Sequence, residues 1–589
     1  MNSKKFKDVF VVAIIGCGPR GLSALESLYQ KAAQKGSTLS VIVFEETDQP
    51  GAGPVYDNEQ PDTNWLNVAE RAVDIWPRKK INFKGFSIPQ FPTFQEWVGY
   101  DSSKKTESEV DFFPPRSKMG TYLRERYESI AHVLEGQELL TMVHGKVVSA
   151  KTQDGSISLE VLGGALYEVD EAVLAIGHQP IELDEQLISW QSKSLQMDGP
   201  VLFTDPYPVE RILASDTVTS ERNIGIRGFG LAMIDVTRAL SIGMGGDFEL
   251  SDQQTRHMHY VPSGNEPKAI VPFSLDGLPM APKPLNLKID RHYVPSDKEL
   301  ECYSGKIKKL LNTETLPTSA GFLIEGISPL IATIYSSSKI NVPNHRYSTN
   351  EIKMIVEAWL KDENFEHELI LSLNLTASEM MTQFSSMATG HGEVSLDYCI
   401  GHVWRHCQPT MYKLLSFKSL DDKVIAKIVA LDERLKRYSY GPPVDSLQQL
   451  LALERAGILN LSLLINPEIK LTESGWIFAK DINSISVETM VNSVLDAPQI
   501  LKVAEPLPKG LIKGATVEAL HDKLGIRTRQ DAIVEFDKKD VNYPLAVLGR
   551  LAKGTLIGVD AIAECFGIRS EIWAVGVIER LSMSAKKSK

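Results

Sequence analysis

The sequence predicts an α/β protein with two parallel-sheet units, each entered through a strand, a glycine turn and a helix, and a helical insertion. Three observations carry this. An apolar strand runs into Gly-Cys-Gly-Pro-Arg-Gly at residues 16–21, a second strand runs into Gly-Phe-Gly at 228–230, and residues 348–440 show helical spacing. At 589 residues the chain is too long for a single core, so several packed units are expected.

The first unit is the more fully written. Phe10 to Ile15 is an unbroken apolar run, as expected of a parallel strand covered on both faces. Gly16, Gly18 and Gly21 follow, with Pro19 and Arg20 between them, and then Leu22, Leu25 and Leu28 at helical spacing. "LSVIVFEE" (39–46) is a second buried strand ending in Glu45 and Glu46. Gly16 permits the tight turn, Gly18 lets the backbone approach a pyrophosphate, and Gly21 lets the helix lie close to the strand. The helix N-terminus turns its partial positive charge towards phosphate, and the carboxylate ending the second strand suits a ribose hydroxyl pair. This order predicts a dinucleotide site.

Residues 222–240, "RNIGIRGFGLAMIDVTRAL", vary the theme. Asn223 to Ile226 is a strand, Gly228 and Gly230 form the turn, and a helix carrying Asp235 follows, without the third glycine. A tight connection that binds nothing is the alternative reading. Between the two turns, "EAVLAIGHQP" (171–180) is a buried strand ending at Gly177 and His178; the histidine reads as structural, at a junction between units. Two such turns have an economical explanation: the first binds FAD, and the second receives NADPH or NADH, which reduces it.

Composition excludes several classes. The hydrophobic fraction is 43% and the charged fraction 23%, with no apolar run long enough to span a bilayer. The opening MNSKKFKDVFVVAIIGCG reads as a strand, because its apolar stretch is short and β-branched. Five scattered cysteines without a CxxC pair suggest neither a disulfide framework nor a zinc site, and point to a reduced, cytoplasmic protein. A net charge of −12 argues against nucleic-acid binding; the AKKSK ending reads as a solvated tail.

Several blocks together carry a resemblance. "GCGPRGLSALE", "PGAGPVYD" (50–57), "WLNVAERAVDI" (65–75), "FFPPRSKMGTYL" (112–123), "DPYP" (205–208), "GFGLAMIDV" (228–236), "DGLPMAPKP" (276–284) and "LGRLAKGTLIGVD" (548–560) follow in order. They resemble the bacterial FAD/NAD(P)-binding proteins with two dinucleotide-binding domains, among them N-hydroxylating flavin monooxygenases of the aspartate N-monooxygenase, or nitrosuccinate synthase, type. The resemblance implies two Rossmann-like domains, FAD, a reduced nicotinamide and molecular oxygen. It places Gly16, Gly18, Pro19, Arg20, Gly21 and Glu45 on the ADP half of FAD, Asn67 near the isoalloxazine ring, and Asp560 near the ribityl chain or phosphate. It sets Arg116 and Tyr122 beside the flavin domain, and Gly228, Gly230 and Asp235 on the nicotinamide nucleotide.

Two departures bear on the nicotinamide. Related sequences tend to have arginine where this chain has Asn265, and "SRRGLP" where it has Ser274-Leu275-Asp276-Gly277-Leu278-Pro279, which weakens the case for NADPH; Lys268 or Arg256 are the candidate replacements. A flavin monooxygenase needs few catalytic side chains, because reduced flavin itself carries oxygen as a C4a hydroperoxide to an unprotonated amine. An acidic amino acid would need cations, and "GHVWRHCQP" (401–409) offers Arg405 and His406. His402 and His406 have the spacing of a two-histidine metal face, yet no HExxH glutamate or third ligand accompanies them, so no metal is expected.

The expected organisation is a first part of the FAD-binding domain at 1–200, an NAD(P)-binding domain at 201–340, a helical insertion at 341–460 and a C-terminal α/β part, 461–589, completing the flavin domain. The insertion opens on the capping box "STNE" (348–351), stops at Pro442 and Pro443, and serves as a substrate lid or as an interface between copies. The implied function is FAD-dependent, NAD(P)H-using hydroxylation of the amino group of a small amino acid, aspartate first. The alternatives are a flavin-dependent reductase or dehydrogenase without oxygen insertion, and a non-enzymatic nucleotide-binding redox sensor.

Overall fold

The computed structural model describes residues 9–153, 155–197, 199–313, 316–337, 340–343, 346–495, 499–535 and 543–587; the first residues of the opening and the end of the AKKSK tail lie outside these. β1 (Val11–Ile15) and β2 (Ser40–Glu45) are joined by α1 (Pro19–Lys35). They lie within a five-stranded parallel sheet whose order is Leu545–Val547, Glu171–Leu174, β1, β2, Leu140–His144. Successive residues of a strand point to opposite faces, so β1 feeds two separate apolar clusters. Val12 and Ile14 pack with Leu22, Leu25 and Leu28 of α1, while Val11, Ala13 and Ile15 pack with Phe44, Leu545 and Val547. That is the physical reason for the unbroken apolar run.

A second parallel sheet has the order Val201–Phe203, Thr489–Asn492, Asn223–Arg227, Ala269–Phe273. The chain leaves Asn223–Arg227 through Gly228–Gly230 into the helix Leu231–Ala239, makes the hairpin Asp247–Leu250/Met258–Val261, and returns as Ala269–Phe273. An antiparallel three-stranded sheet, 468–487, packs Trp476 and Phe478 against Val271 and Phe273.

The helical part is larger than expected. It begins at Asp297–Leu311 and Gly321–Tyr335, ahead of residue 341, because the apolar faces of those helices share one core with Thr349–Lys361, Leu396–Leu415 and Asp422–Ser439. Ser348 and Glu351 form the reciprocal capping box that the sequence spells. The C-terminal part also differs from expectation. Residues 461–589 divide between the two sheets: Leu545–Val547 pairs with Glu171–Leu174, while Thr489–Asn492 lies between Val201–Phe203 and Asn223–Arg227. Among the described residues no helix is long and apolar enough to cross a membrane.

Candidate functional site

The first glycine turn stands at the carboxyl ends of the parallel strands, where open α/β sheets hold ligands. Gly16 has φ +85°, and its N–H donates to the Phe44 carbonyl at 2.8 Å. A Cβ on Gly21 would stand 2.2 Å from the Gly16 carbonyl oxygen, so glycine is required for α1 to leave the turn as it does. Gly18 is different: its nearest neighbours would be Gly53 Cα at 3.8 Å and the Ala52 carbonyl oxygen at 3.9 Å. The space above it belongs to a cleft of about 340 Å³ that runs past Glu45, Ala52–Tyr56, Ile176–Gln179 and Asp560.

Glu45 is buried at the tip of β2. One carboxylate oxygen accepts from the Cys17 N–H (2.7 Å), and the other accepts from the Thr47 N–H (3.0 Å) and hydroxyl (2.8 Å). It therefore ties the turn to the strand end while lining the cleft. Arg20 donates to the carbonyls of Val559 (2.7 Å) and Glu564 (3.1 Å), which holds the C-terminal segment against the turn. Asp560 is held by Lys436 (2.6 Å) and Lys553 (2.9 Å), and these cations keep its carboxyl well below the usual range despite burial. Its Oδ1 is buried and makes no hydrogen bond among the described residues, although Arg550 Nε stands 3.6 Å away as an ion-pair partner. A glycine whose missing Cβ leaves room for backbone approach, an acid at the strand tip and a second carboxylate on the cleft wall form a set of groups that fits a flavin dinucleotide.

The second turn sits likewise at strand ends. Gly228 has φ +114°, and a Cβ there would press on Ser493 Oγ at 2.7 Å, while Gly230 faces open space. Asp235 departs from expectation. It is 2% exposed, accepts from Tyr207 Oη (2.6 Å), and pairs with Arg116 (2.7 Å). It lies within the helix, facing the other unit rather than the turn, so it braces the two units and is not placed to hold a nucleotide.

Arg405 and His406 also depart from the expected role in substrate binding. Both meet Oδ1 of the buried Asp290, His406 Nε2 at 3.1 Å, and Arg71 binds the other oxygen at 3.1 Å. Arg71 further holds Asp111 through two bonds of 2.7 and 2.8 Å. Arg405 and Arg71 are therefore already matched by carboxylates, and His406, whose pKa burial lowers, is hydrogen-bonded to one of them. His402 is fully buried against Tyr293 and Tyr398, and burial drives its pKa far down. Among the described residues no group of three or more His, Cys, Asp or Glu side chains could hold a metal ion.

Sequence reasoning passed over Lys283. Its ammonium donates to the Asn67 carbonyl oxygen and has no carboxylate partner among the described residues; burial and the neighbouring Arg405 push its pKa down to about 7. It lines a cavity of about 260 Å³ with Trp65, Phe112, Pro115 and Val444. The charges on that cavity's rim, Asp111 and Asp445, are held by Arg71 and Arg256. Asn67, which accepts from Lys283 through its carbonyl, also bonds the end of the helical part. Its amide donates to the Tyr440 carbonyl (3.3 Å), and the Tyr440 ring lies under Lys436, the partner of Asp560. The available signal was a lysine between two prolines in "APKP", inside a block that already stood out.

Residues 13–179 match the family described as FAD-NAD(P)-binding, which gives this segment its cofactor class. The chain is 24% identical over 542 residues to a nitrosuccinic acid synthase of Aspergillus oryzae, covering 85% of this chain and 81% of that protein. It is 25% identical over 280 residues to a nitrosuccinate-forming L-aspartate N-monooxygenase of Streptomyces cremeus, covering 44% of this chain and 40% of that one. Among solved structures, the reduced form of an ornithine hydroxylase from Pseudomonas aeruginosa aligns over 97% of this chain and all of that one, with 11% identity and a TM-score of 0.43.

Proposed function

We propose that this protein is an FAD-dependent monooxygenase that uses a reduced nicotinamide and molecular oxygen to hydroxylate the amino group of a small amino acid, with aspartate as the first substrate to test. The reading rests on one observation: the glycine turn of residues 16–21 opens on a cleft lined by Gly16, Gly18, Glu45 and Asp560 that fits a flavin dinucleotide, within the segment that matches the FAD-NAD(P)-binding family. FAD would supply the oxygen chemistry. Gly16, Gly18 and Gly21, with the N-terminus of α1, would hold its pyrophosphate, Glu45 its ribose, and Asp560 Oδ1 a ribityl hydroxyl.

Lys283 would then take a substrate carboxylate, the role that Arg405 and His406 cannot fill while Asp290 occupies them. The walls of Trp65, Phe112, Pro115 and Val444 would exclude water and favour the unprotonated amine by desolvation. The nitrosuccinate-forming relatives support the amino-acid substrate and the choice of aspartate. The protein would work as a cytoplasmic enzyme on a small-molecule substrate, without nucleic acid or membrane partners.

The test is an aerobic assay of the FAD-loaded protein with reduced nicotinamide and single amino acids, reading nitrogen-oxidised product by mass spectrometry. Product that requires oxygen, and is greatest with aspartate, is expected. Nicotinamide oxidation with no nitrogen-oxidised product from any amino acid would move the reading to a reductase.

A further inference from the structure

The second sheet brings one carboxylate to the place where a dinucleotide's adenosine ribose would rest. Asn223–Arg227 and Ala269–Phe273 are adjacent and parallel, with Asn223 opposite Ala269 and Arg227 opposite Phe273. The Gly228 N–H donates to the Phe273 carbonyl at 2.8 Å. The two strands therefore end level, and Gly228-Phe229-Gly230 and Ser274-Leu275-Asp276 emerge side by side at the carboxyl edge. In a dinucleotide-binding unit the strand beside the glycine turn carries the group that meets the ribose 2′ position: an acid for a hydroxyl, an arginine for a phosphate.

Asp276 is exposed at that edge and makes no ion pair among the described residues. Its Oδ1 accepts from the Leu278 N–H at 3.1 Å, which fixes the loop. The cations that could offset it are engaged elsewhere. Arg227, on the neighbouring strand, is spent on Asp184 (2.5 Å), Asn492 (3.0 Å) and Gln186 (3.1 Å). Arg437 donates to the Pro279 carbonyl but turns its guanidinium over Phe384 and Tyr438 in the helical core. Lys480 is the one to control for: it donates to the carbonyl of Ile465, which is bridged to Ser274.

The other candidates stand at the wrong end or are already paired. Asn265 and Lys268 precede Ala269–Phe273, at the amino edge of the sheet, where Lys268 N–H meets the Arg222 carbonyl; Arg256 is held by Asp445.

We propose that Asp276 makes this chain select NADH over NADPH, by receiving the adenosine ribose hydroxyls and repelling a 2′-phosphate. The inference rests on the reading that the second turn holds a reduced nicotinamide. A 2′-phosphate carries between one and two negative charges at neutral pH, so a carboxylate at hydrogen-bond range opposes it directly, whereas the ribose diol gives it two donors.

The test is calorimetric titration of the FAD-loaded protein with NAD⁺ and with NADP⁺, in the wild type and in Asp276→Asn, Asp276→Arg and Lys480→Ala. The expectation is NAD⁺ binding at least about tenfold more tightly than NADP⁺, a gap narrowed by Asp276→Asn and reversed by Asp276→Arg. Because Asp276 is an exposed loop residue, these variants should retain flavin and thermal midpoint. Tighter binding of NADP⁺ by the wild type, lost in Lys480→Ala, would overturn the proposal and give the 2′ position to Lys480. Binding of neither nucleotide by a flavin-loaded protein would remove the second site itself, and the proposal with it, while leaving the first.

Discussion

Replacing Gly18 with alanine separates the binding role of the first turn from its structural role. Gly18 has φ −72° and ψ −165°, a conformation open to any residue, and the added methyl would meet only backbone at 3.8 and 3.9 Å. The fold therefore loses only the difference between glycine and alanine at a helix N-cap, less than about 1 kcal/mol. The methyl, however, stands in the space that lets a pyrophosphate reach the first N–H groups of α1. Losing one to two charge-assisted hydrogen bonds there costs about 3 kcal/mol, which weakens FAD roughly 100-fold. Gly21→Ala should behave in the opposite way. Its methyl lies 2.2 Å from the Gly16 carbonyl oxygen, so α1 must shift and the apoprotein should lose about 3 kcal/mol. Flavin fluorescence titration gives the affinities, and urea unfolding of the apoprotein gives the stabilities. Wild-type FAD affinity in Gly18→Ala, or equal destabilisation by both variants, would refute the reasoning.

Three other predictions concern charge. Asp290→Asn leaves Arg71, Arg405 and His406 facing one another without their shared carboxylate, and should cost about 3 kcal/mol in urea unfolding, whereas Arg124→Ala at the exposed pair with Glu128 should stay within about 0.5 kcal/mol; equal effects would show that the cluster does not brace the helical layer. Lys283 holds its proton less well folded, at about 7, than unfolded, at about 10.4. Between those values the unfolded state binds more protons, so stability should rise with pH across that window, and Lys283→Met should flatten the rise. In binding assays, affinity for an anionic substrate should fall as pH passes above about 7, where the free lysine loses its charge; a flat profile would take Lys283 out of the substrate site.

Much of the first unit was legible because its signals are local. An apolar run of β-branched residues, three glycines at fixed spacing and an acid at the next strand end occupy 37 consecutive positions, 10–46, and each has one physical explanation. The capping box at Ser348–Glu351 was legible for the same reason. What sequence could not supply was partnership across distance. Arg405 and His406 sit in a suggestive run, but the group that occupies them, Asp290, lies more than a hundred positions away. Asp235 falls on a motif position, yet Arg116 from the other unit claims it. Lys283 stands out only once folding sets it near Arg71 and Arg405, each already matched by a carboxylate. Asn265 and Asp276 both looked like departures from a related pattern; only the direction of Ala269–Phe273 puts them at opposite edges of one sheet.

The late strands set a condition on how this protein comes into being. A nascent chain cannot close the second sheet until residue 492 has left the ribosome, because Thr489–Asn492 fills an interior position there. It cannot complete the first sheet until Leu545–Val547 arrives beside Glu171–Leu174. Until then apolar strand edges formed hundreds of residues earlier stay open, which makes synthesis slow to reach a protected state and dependent on holding those edges apart. A message cut short anywhere before its last tenth would yield a product with an unfinished sheet, so the cell has either the whole molecule or something to degrade.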